Sequence, residues 1–173
     1  MQTILETERL QFLMWQPDEA PLVHALHSTL ATSRFMSGGL PWTMERCQSR
    51  IEQWIDEQDD DGTTKYKVVA KSDGRFVGRA GISLHDEEAR EFELGYAFNE
   101  DEWGKGYATE AARGLIAWFL GKGFSDRLIA FTHPENFASQ HVLRKAGMRE
   151  IEPRLIDGFV APTFEIGASD IKA

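Results

Sequence analysis

The stretch EFELGYAFNEDEWGKGYATEAARGLIAWF, residues 91–119, decides how this chain folds. Its first eight residues, 91–98, predict a strand, and Gly95 inside it marks a bulge or a close backbone approach. Ala108, Ala111, Ala112, Leu115, Ile116, Phe119 and Leu120 then recur at helical steps. They predict a helix over about 106–120, stopped by Gly121 and Gly123. Gly104, Lys105 and Gly106 stand at its start. A helix start leaves peptide N–H groups unpaired and carries partial positive charge, and glycines let a ligand approach them. Such a loop suits a phosphate whatever the net charge, each oriented interaction supplying about 0.3–1 kcal/mol. The alternative is a plain strand-to-helix turn. No GxxxxGK[ST] string occurs, and Thr109 stands where a dinucleotide fingerprint needs its third glycine.

Working outward, RLIAFTH (127–133) reads as a buried strand, so 91–133 forms a βαβ crossover. Asn136 caps a helix that Gly147 closes. MREIEPRLI (148–156) and FVAPTFEIG (159–167) form a hairpin around Asp157-Gly158. Toward the N-terminus, KYKVVAK (65–71), FVGRAGISL (76–84) and 91–98 make an antiparallel meander. Thr43 caps a helix over 44–58, with Ile51, Trp54 and Ile55 on one face, and DEQDDDG ends it as solvated loop. ERLQFLMW (8–15) is the expected first strand, Asp18 opens a helical stretch to about Leu30, and 31–42 is irregular. The order β-α-α-β-β-β-α-β-α-β-β predicts one α/β domain over 1–173 with a mixed sheet.

The totals narrow the function. The chain has 28 Asp plus Glu against 19 Lys plus Arg, a formal charge of −9, which argues against a nucleic-acid partner and mildly favours cationic amines. One cysteine, Cys47, excludes an intrachain disulfide and a multi-cysteine metal site, and no metal is expected. No signal-like start or membrane-length apolar run is present, so a cytoplasmic setting without membrane contact is expected.

FELGYAF, NEDE, WGKGYATEA, the long helix and NFASQHVLRKAGM together resemble the GNAT acetyltransferases, and TERLQF is similar to the start of the RimJ/RimL-type branch. That resemblance covers nearly the whole chain. It implies a mostly antiparallel central sheet with a βαβ cofactor-binding crossover and flanking helices. It also implies acetyl-CoA as cosubstrate and an acetyl group moved directly to a primary amine: a protein N-terminus, an amino acid or a small cation.

By the same resemblance, Trp103, Gly104, Lys105, Gly106, Tyr107 and Ala108 fill the pyrophosphate loop, with Trp103 where many members have Gln or Arg. Thr109 caps or donates from the first helical turn. The backbone of Tyr96, Ala97 and Phe98 pairs with the pantetheine arm, and Asn136 holds its other side. Lys145 either reaches the adenosine phosphates or lies on a solvated helix face. Many members place a tyrosine seven residues after the Asn, and here Leu143 stands there.

Glu93, on the strand lining the expected cleft, is the candidate base, and otherwise a surface carboxylate. A carboxylate in a partly apolar site holds a proton more readily, and water can relay it. Ser139 is the candidate acid, or a hydrogen-bonding group only. His85 and His133 either touch substrate or are structural. Trp42 and Trp54 wall the acceptor pocket or belong to the core. Two rivals remain: a non-catalytic acyl-CoA-binding module, and an interaction protein whose glycine loop is only a turn. The outer edge of the last hairpin is available for a homodimer.

Overall fold

A computed structural model of the chain describes residues 2–36 and 38–171; Ser37, inside the stretch expected to be irregular, and Met1, Lys172 and Ala173 lie outside the described residues. The described strands form one sheet. Five follow one another as antiparallel neighbours: β1 (Thr3–Glu6), β2 (Leu10–Leu13), β3 (Lys65–Ala70), β4 (Phe76–Asp86) and β5 (Glu91–Phe98). β6 (Arg127–Phe131) lies parallel to β5, β8 (Phe159–Gly167) pairs with β6, and β7 (Arg149–Ile156) forms the far edge. The expected mixed, mostly antiparallel sheet is therefore present. Its crossover helix is α4 (Tyr107–Lys122).

Strand periodicity divides the side chains between two faces. Tyr66, Val68, Ala80, Ile82, Phe92 and Leu94 join Ala111, Leu115 and Phe119 of α4 in the larger core. The other face lies under α1 (Ala20–His27) and α3 (Met44–Asp61), where Trp15, Val23, Trp42, Cys47, Ile51 and Trp54 form a second core. On this face the central strands carry Lys65, Lys67, Arg79, Gly81, Ser83, Glu93 and Gly95, so it is polar where it opens.

Several expected boundaries change. The single first strand at 8–15 is instead two, β1 and β2, because the chain reverses at 7–9, where Thr7 N–H donates to the Leu10 carbonyl (2.9 Å). Glu110 fixes that reversal by accepting from the Thr7 hydroxyl (2.6 Å) and the Arg9 N–H (2.7 Å), a contact with no local sequence signal. The helix expected to Leu30 ends at His27. After an extended Thr29, residues Leu30–Ser33 form a short α2 inside the stretch expected to be irregular.

Thr43 caps α3 as expected, its hydroxyl accepting from Arg46 N–H (3.2 Å). That helix absorbs most of the acidic run expected as loop and stops at Gly62, whose φ of 75° is left-handed. Gly123, not Gly121, closes α4. Asn136 caps α5 (Phe137–Lys145), its Oδ1 accepting from Ser139 N–H (3.2 Å). Gly95 makes no bulge: it faces Gly81 in regular register, and the irregularity falls between Leu84 and Asp86.

Candidate active site

The strands β5 and β6 meet at one register pair, Glu93 with Ile129, and then part. β5 stays paired to β4 as far as Phe98, and β6 stays paired to β8 as far as Phe131, so a wedge opens between their C-terminal ends. Two cavities meet there. One, of about 440 Å3, runs from the wedge to the glycine loop and the start of α4. The other, of about 470 Å3, runs to the polar face under α3. Tyr96, Asn136 and Ser139 line both.

In the first cavity Gly104 and Gly106 both take left-handed backbone, φ 75° and 82°, which an L side chain resists. Gly106 is the N-cap of α4 and supplies no side-chain cap. Among the described residues, no backbone acceptor meets the N–H groups from Gly104 to Thr109; the next, of Glu110, bonds to Gly106. This run of donors fits an anion. Thr109 lines the cavity without capping the helix, and Ala97, Phe98, Trp103, Tyr107 and Ala108 line it with the glycines.

Two expected contacts differ. Lys105 turns to Glu102, its Nζ 2.9 Å from Oε2, so the loop lysine is neutralised. Trp103 donates its indole N–H to the Phe98 carbonyl (2.9 Å), so that carbonyl is taken and the aromatic ring braces the end of β5. Glu102 also takes a two-point bond from Arg75, at 3.0 and 3.1 Å. Those bonds, with Lys105, hold its carboxyl below the usual range against the opposing effect of burial.

Sequence reasoning missed Arg9. Its Nη1 donates to the Lys105 carbonyl (2.9 Å), its guanidinium lies over the Tyr107 ring at 4.7 Å, and Glu110 anchors its Nε at 2.7 Å. With Arg113 and Lys145 it flanks an open recess beside Gly106.

At the junction the Tyr96 hydroxyl lies 2.9 Å from the Ser139 Oγ. Burial raises the Tyr96 pKa above its ordinary value, against the lowering effect of that hydrogen bond. Leu143, at the position where the resemblance implies a tyrosine, is buried in the larger core. A phenol thus reaches the wedge from β5 instead of α5. The sequence names Tyr96 but gives no sign that its hydroxyl meets Ser139.

Glu93 lies on the wall of the second cavity, though its surroundings are ionic rather than apolar. Lys65 Nζ donates to the Glu93 carbonyl (2.8 Å) and stands 4.0 Å from Oε2. A Cβ on Gly95 would lie 3.0 Å from Lys65 Cε, so the missing side chain makes room for this lysine. Burial lowers the Lys65 pKa, while Glu93 opposes the shift. Glu57 accepts from the hydroxyls of Thr64 (2.8 Å) and Ser83 (2.9 Å).

Of the expected aromatic wall, Trp54 lines the cavity, while Trp42 packs behind it against His27 at 4.0 Å between ring centres. His85 and His133 also line it, in ring contact with Phe131 and with Phe35 and Phe159. Cys47 is fully buried away from both cavities, and burial raises its thiol pKa.

Comparison with known proteins agrees with this geometry. A family model described as an acetyltransferase (GNAT) domain matches residues 9–149. A Bacillus licheniformis protein, "Uncharacterized N-acetyltransferase p20", is 24% identical over 147 residues, covering 84% of this chain and 82% of its own length. The fold is similar to a GNAT-family acetyltransferase structure from Bacillus anthracis (TM-score 0.81, 22% identity, 97% of this chain and 99% of that one). It is also similar to RimL, a ribosomal L7/L12 alpha-N-protein acetyltransferase, in complex with coenzyme A (TM-score 0.80, 14% identity, 96% and 98% covered).

Proposed function

The chain belongs to the GNAT acetyltransferase family, and on that premise we propose that it moves an acetyl group from acetyl-CoA to a primary amine by direct attack, with both substrates bound together. The observation that carries this reading is the wedge between β5 and β6: one cavity leads from it to a run of free N–H donors, the other to a polar pocket, and both open on the Tyr96–Ser139 pair. The solved RimL structure with coenzyme A, similar in fold, supports acetyl-CoA as cosubstrate.

The N–H groups from Gly104 to Thr109 suit the diphosphate, with Ala97 and Asn136 along the path to it. Acetyl-CoA supplies, when bound, an acetyl thioester and a thiol leaving group. Glu93 takes a proton from the acceptor ammonium, directly or through water, so that the amine gains a lone pair. Tyr96 acts as the proton donor on the leaving side, with Ser139 hydrogen-bonded to it. Cys47 is too buried to act as a nucleophile, which favours direct transfer.

We further read the chain as a single domain of the RimJ/RimL-type branch, on TERLQF and WGKGYATEA. Among the described residues no helix is long and apolar enough to cross a membrane. The lone, buried cysteine fits a cytoplasmic setting, and the outer edge of β7 could pair with a second copy.

The test is incubation with acetyl-CoA and pooled amines, amino acids and peptides, read by mass gain of one acetyl group. Acetyl-CoA at a hundredfold excess over its Kd should add about 2.7 kcal/mol of stability, a rise of roughly 5–10 °C in melting temperature. Stabilisation with no acetylation would favour the non-catalytic acyl-CoA-binding module. Absence of both stabilisation and acetylation would overturn both readings.

A further inference from the structure

Arg79 is the least expected side chain in the second cavity. It sits on a central strand at 6% exposure, where a guanidinium needs a partner. Its Nε donates to His27 Nε2 (3.0 Å), and its Nη2 lies 3.7 Å from the Met36 sulfur. The guanidinium carbon lies 5.4 Å from the Trp42 ring centre and 5.2 Å from that of Trp54. His27 can accept only as neutral imidazole; burial, then the nearby arginines, lowers its pKa to about 2. The aromatic and imidazole contacts hold the guanidinium in place without neutralising it.

Among the described residues no carboxylate lies within 4.0 Å of Arg79 or of neighbouring Arg50. Arg50 also lines the cavity, its Nη1 bonded to the neutral Gln53 Oε1 at 2.6 Å. Arg79 lines the cavity, and among the described residues its Nη1 makes no hydrogen bond. Burial, then Arg50 beside it, outweigh the attraction of Glu93 and bring the Arg79 pKa to about 10, which leaves it charged at neutral pH. The carboxylates on the same wall are otherwise engaged: Glu57 by two hydroxyls and Glu93 beside Lys65. Asp157, on the β7–β8 turn, also lines the cavity, with no ion pair to either arginine.

We propose that the acceptor amine also carries an oxyanion, a carboxylate, and that Arg79, with Arg50 beside it, receives that group. This rests on the acetyl-transfer reading. Arg79 faces Ala97 across the β4–β5 ladder, about 5 Å away by strand spacing. The anion site is therefore one strand from the wedge, and a small zwitterion can reach both. A zwitterion carries no net charge, so the formal charge of −9 gives it no long-range steering, and recognition must be local, through charge-assisted hydrogen bonds. A polycationic acceptor would set its charge against Arg50 and Arg79.

The test compares acceptors paired to differ in one anionic group: glycine with glycinamide, aspartate with asparagine, and phosphoethanolamine with ethanolamine. The pairs separate main-chain carboxylate, side-chain carboxylate and phosphate recognition. The wild-type protein should prefer a carboxylate member by roughly 10–100-fold in kcat/KM, mostly through KM. Arg79→Gln should abolish that preference while leaving KM for acetyl-CoA unchanged, and Arg79→Lys should restore part of it. Arg50→Gln, at a more exposed site, should weaken the preference if Arg79→Gln does not fold.

Trp42 and Trp54 stack near Arg79, so titrating the same pairs against tryptophan fluorescence reads binding without turnover. No preference for the carboxylate member in either carboxylate pair, preference for phosphate alone, or a preference that survives the substitutions would overturn the proposal. If no amine is acetylated, acetyl transfer fails, and the fluorescence titration alone decides: carboxylate binding lost in Arg79→Gln supports the anion site, and no carboxylate binding overturns it.

Discussion

Tyr96 and Glu93 occupy different positions on one strand, and their side chains leave it by opposite faces. Tyr96 places its hydroxyl against Ser139 and Glu93 lies beside Lys65, so the proposed acid and base are separated by the strand itself. Tyr96→Phe should lower turnover by about 10²-fold or more, the usual contribution of a general acid, with little change in acetyl-CoA affinity. Burial holds the phenol's pKa above its ordinary value, so it stays protonated through neutral and moderately alkaline pH. The ratio of wild-type to variant rate should therefore be flat from pH 7 to about pH 9, as pH–rate profiles of both proteins would show. A ratio that closes to one within that range would remove Tyr96 as the acid. Glu93→Gln should likewise lower turnover far more than it changes KM for acetyl-CoA, measured by initial rates with acetyl-CoA varied. Unchanged rates would return Glu93 to the role of a wall carboxylate.

At the scale of elements, the start of α4 does what its sequence says. Two glycines in left-handed backbone turn the chain so that successive N–H groups stay unpaired, and the apolar stripe of α4 anchors the turn to the larger core. Gly106→Val would put a β-branched residue at φ 82°, with its Cβ 3.4 Å from Arg9 Nη2. The strain costs about 1–3 kcal/mol, which a sheet of this size should survive, while the added side chain crowds the donor run. Calorimetry should show acetyl-CoA binding weakened at least about tenfold, with circular dichroism little changed. Binding at wild-type strength would contradict the loop assignment.

This part of the protein is legible in sequence because glycine spacing, helical period and N-cap geometry are local. The β1–β2 reversal is not, since Glu110 supplies its hydrogen bonds from α4. Arg79 and Lys65 stand in strands that read correctly as strands. A charged residue in a strand carries no local sign of burial; here the face under α3 leaves both buried.

Across the whole molecule, three carboxylates tie together distant parts of the chain. Glu91 on β5 binds Arg127 on β6 and Arg154 on β7; Glu102 binds Arg75 and Lys105; Glu110 binds Thr7 and Arg9. Hydrogen bonds from Arg154 lead the lowering of the Glu91 pKa, and those from Arg75 lead it for Glu102. For Glu110, burial pushes up, but the bonds from Thr7 and Arg9 outweigh it. A folded pKa below the unfolded one contributes stability that is complete above the ordinary carboxylate range and is lost as pH falls through the folded values. Melting temperature should thus hold near neutrality and fall as the pH drops from about 5. Glu91→Gln should be less stable than wild type at pH 7, with the gap narrowing in acid. A melting temperature insensitive to pH between 7 and 3 would show that these ties contribute little.

The single register pair joining β5 to β6 has a consequence for how the molecule is made. On either side of that seam, most strands pair with neighbours close in sequence, through short reversals that close quickly. Only the long passage through α4 brings the two blocks together, at a higher entropic cost of closure. Chemistry placed on such a seam should be assembled after the short β3–β4–β5 and β7–β8 reversals, so that these blocks take shape before reactivity appears.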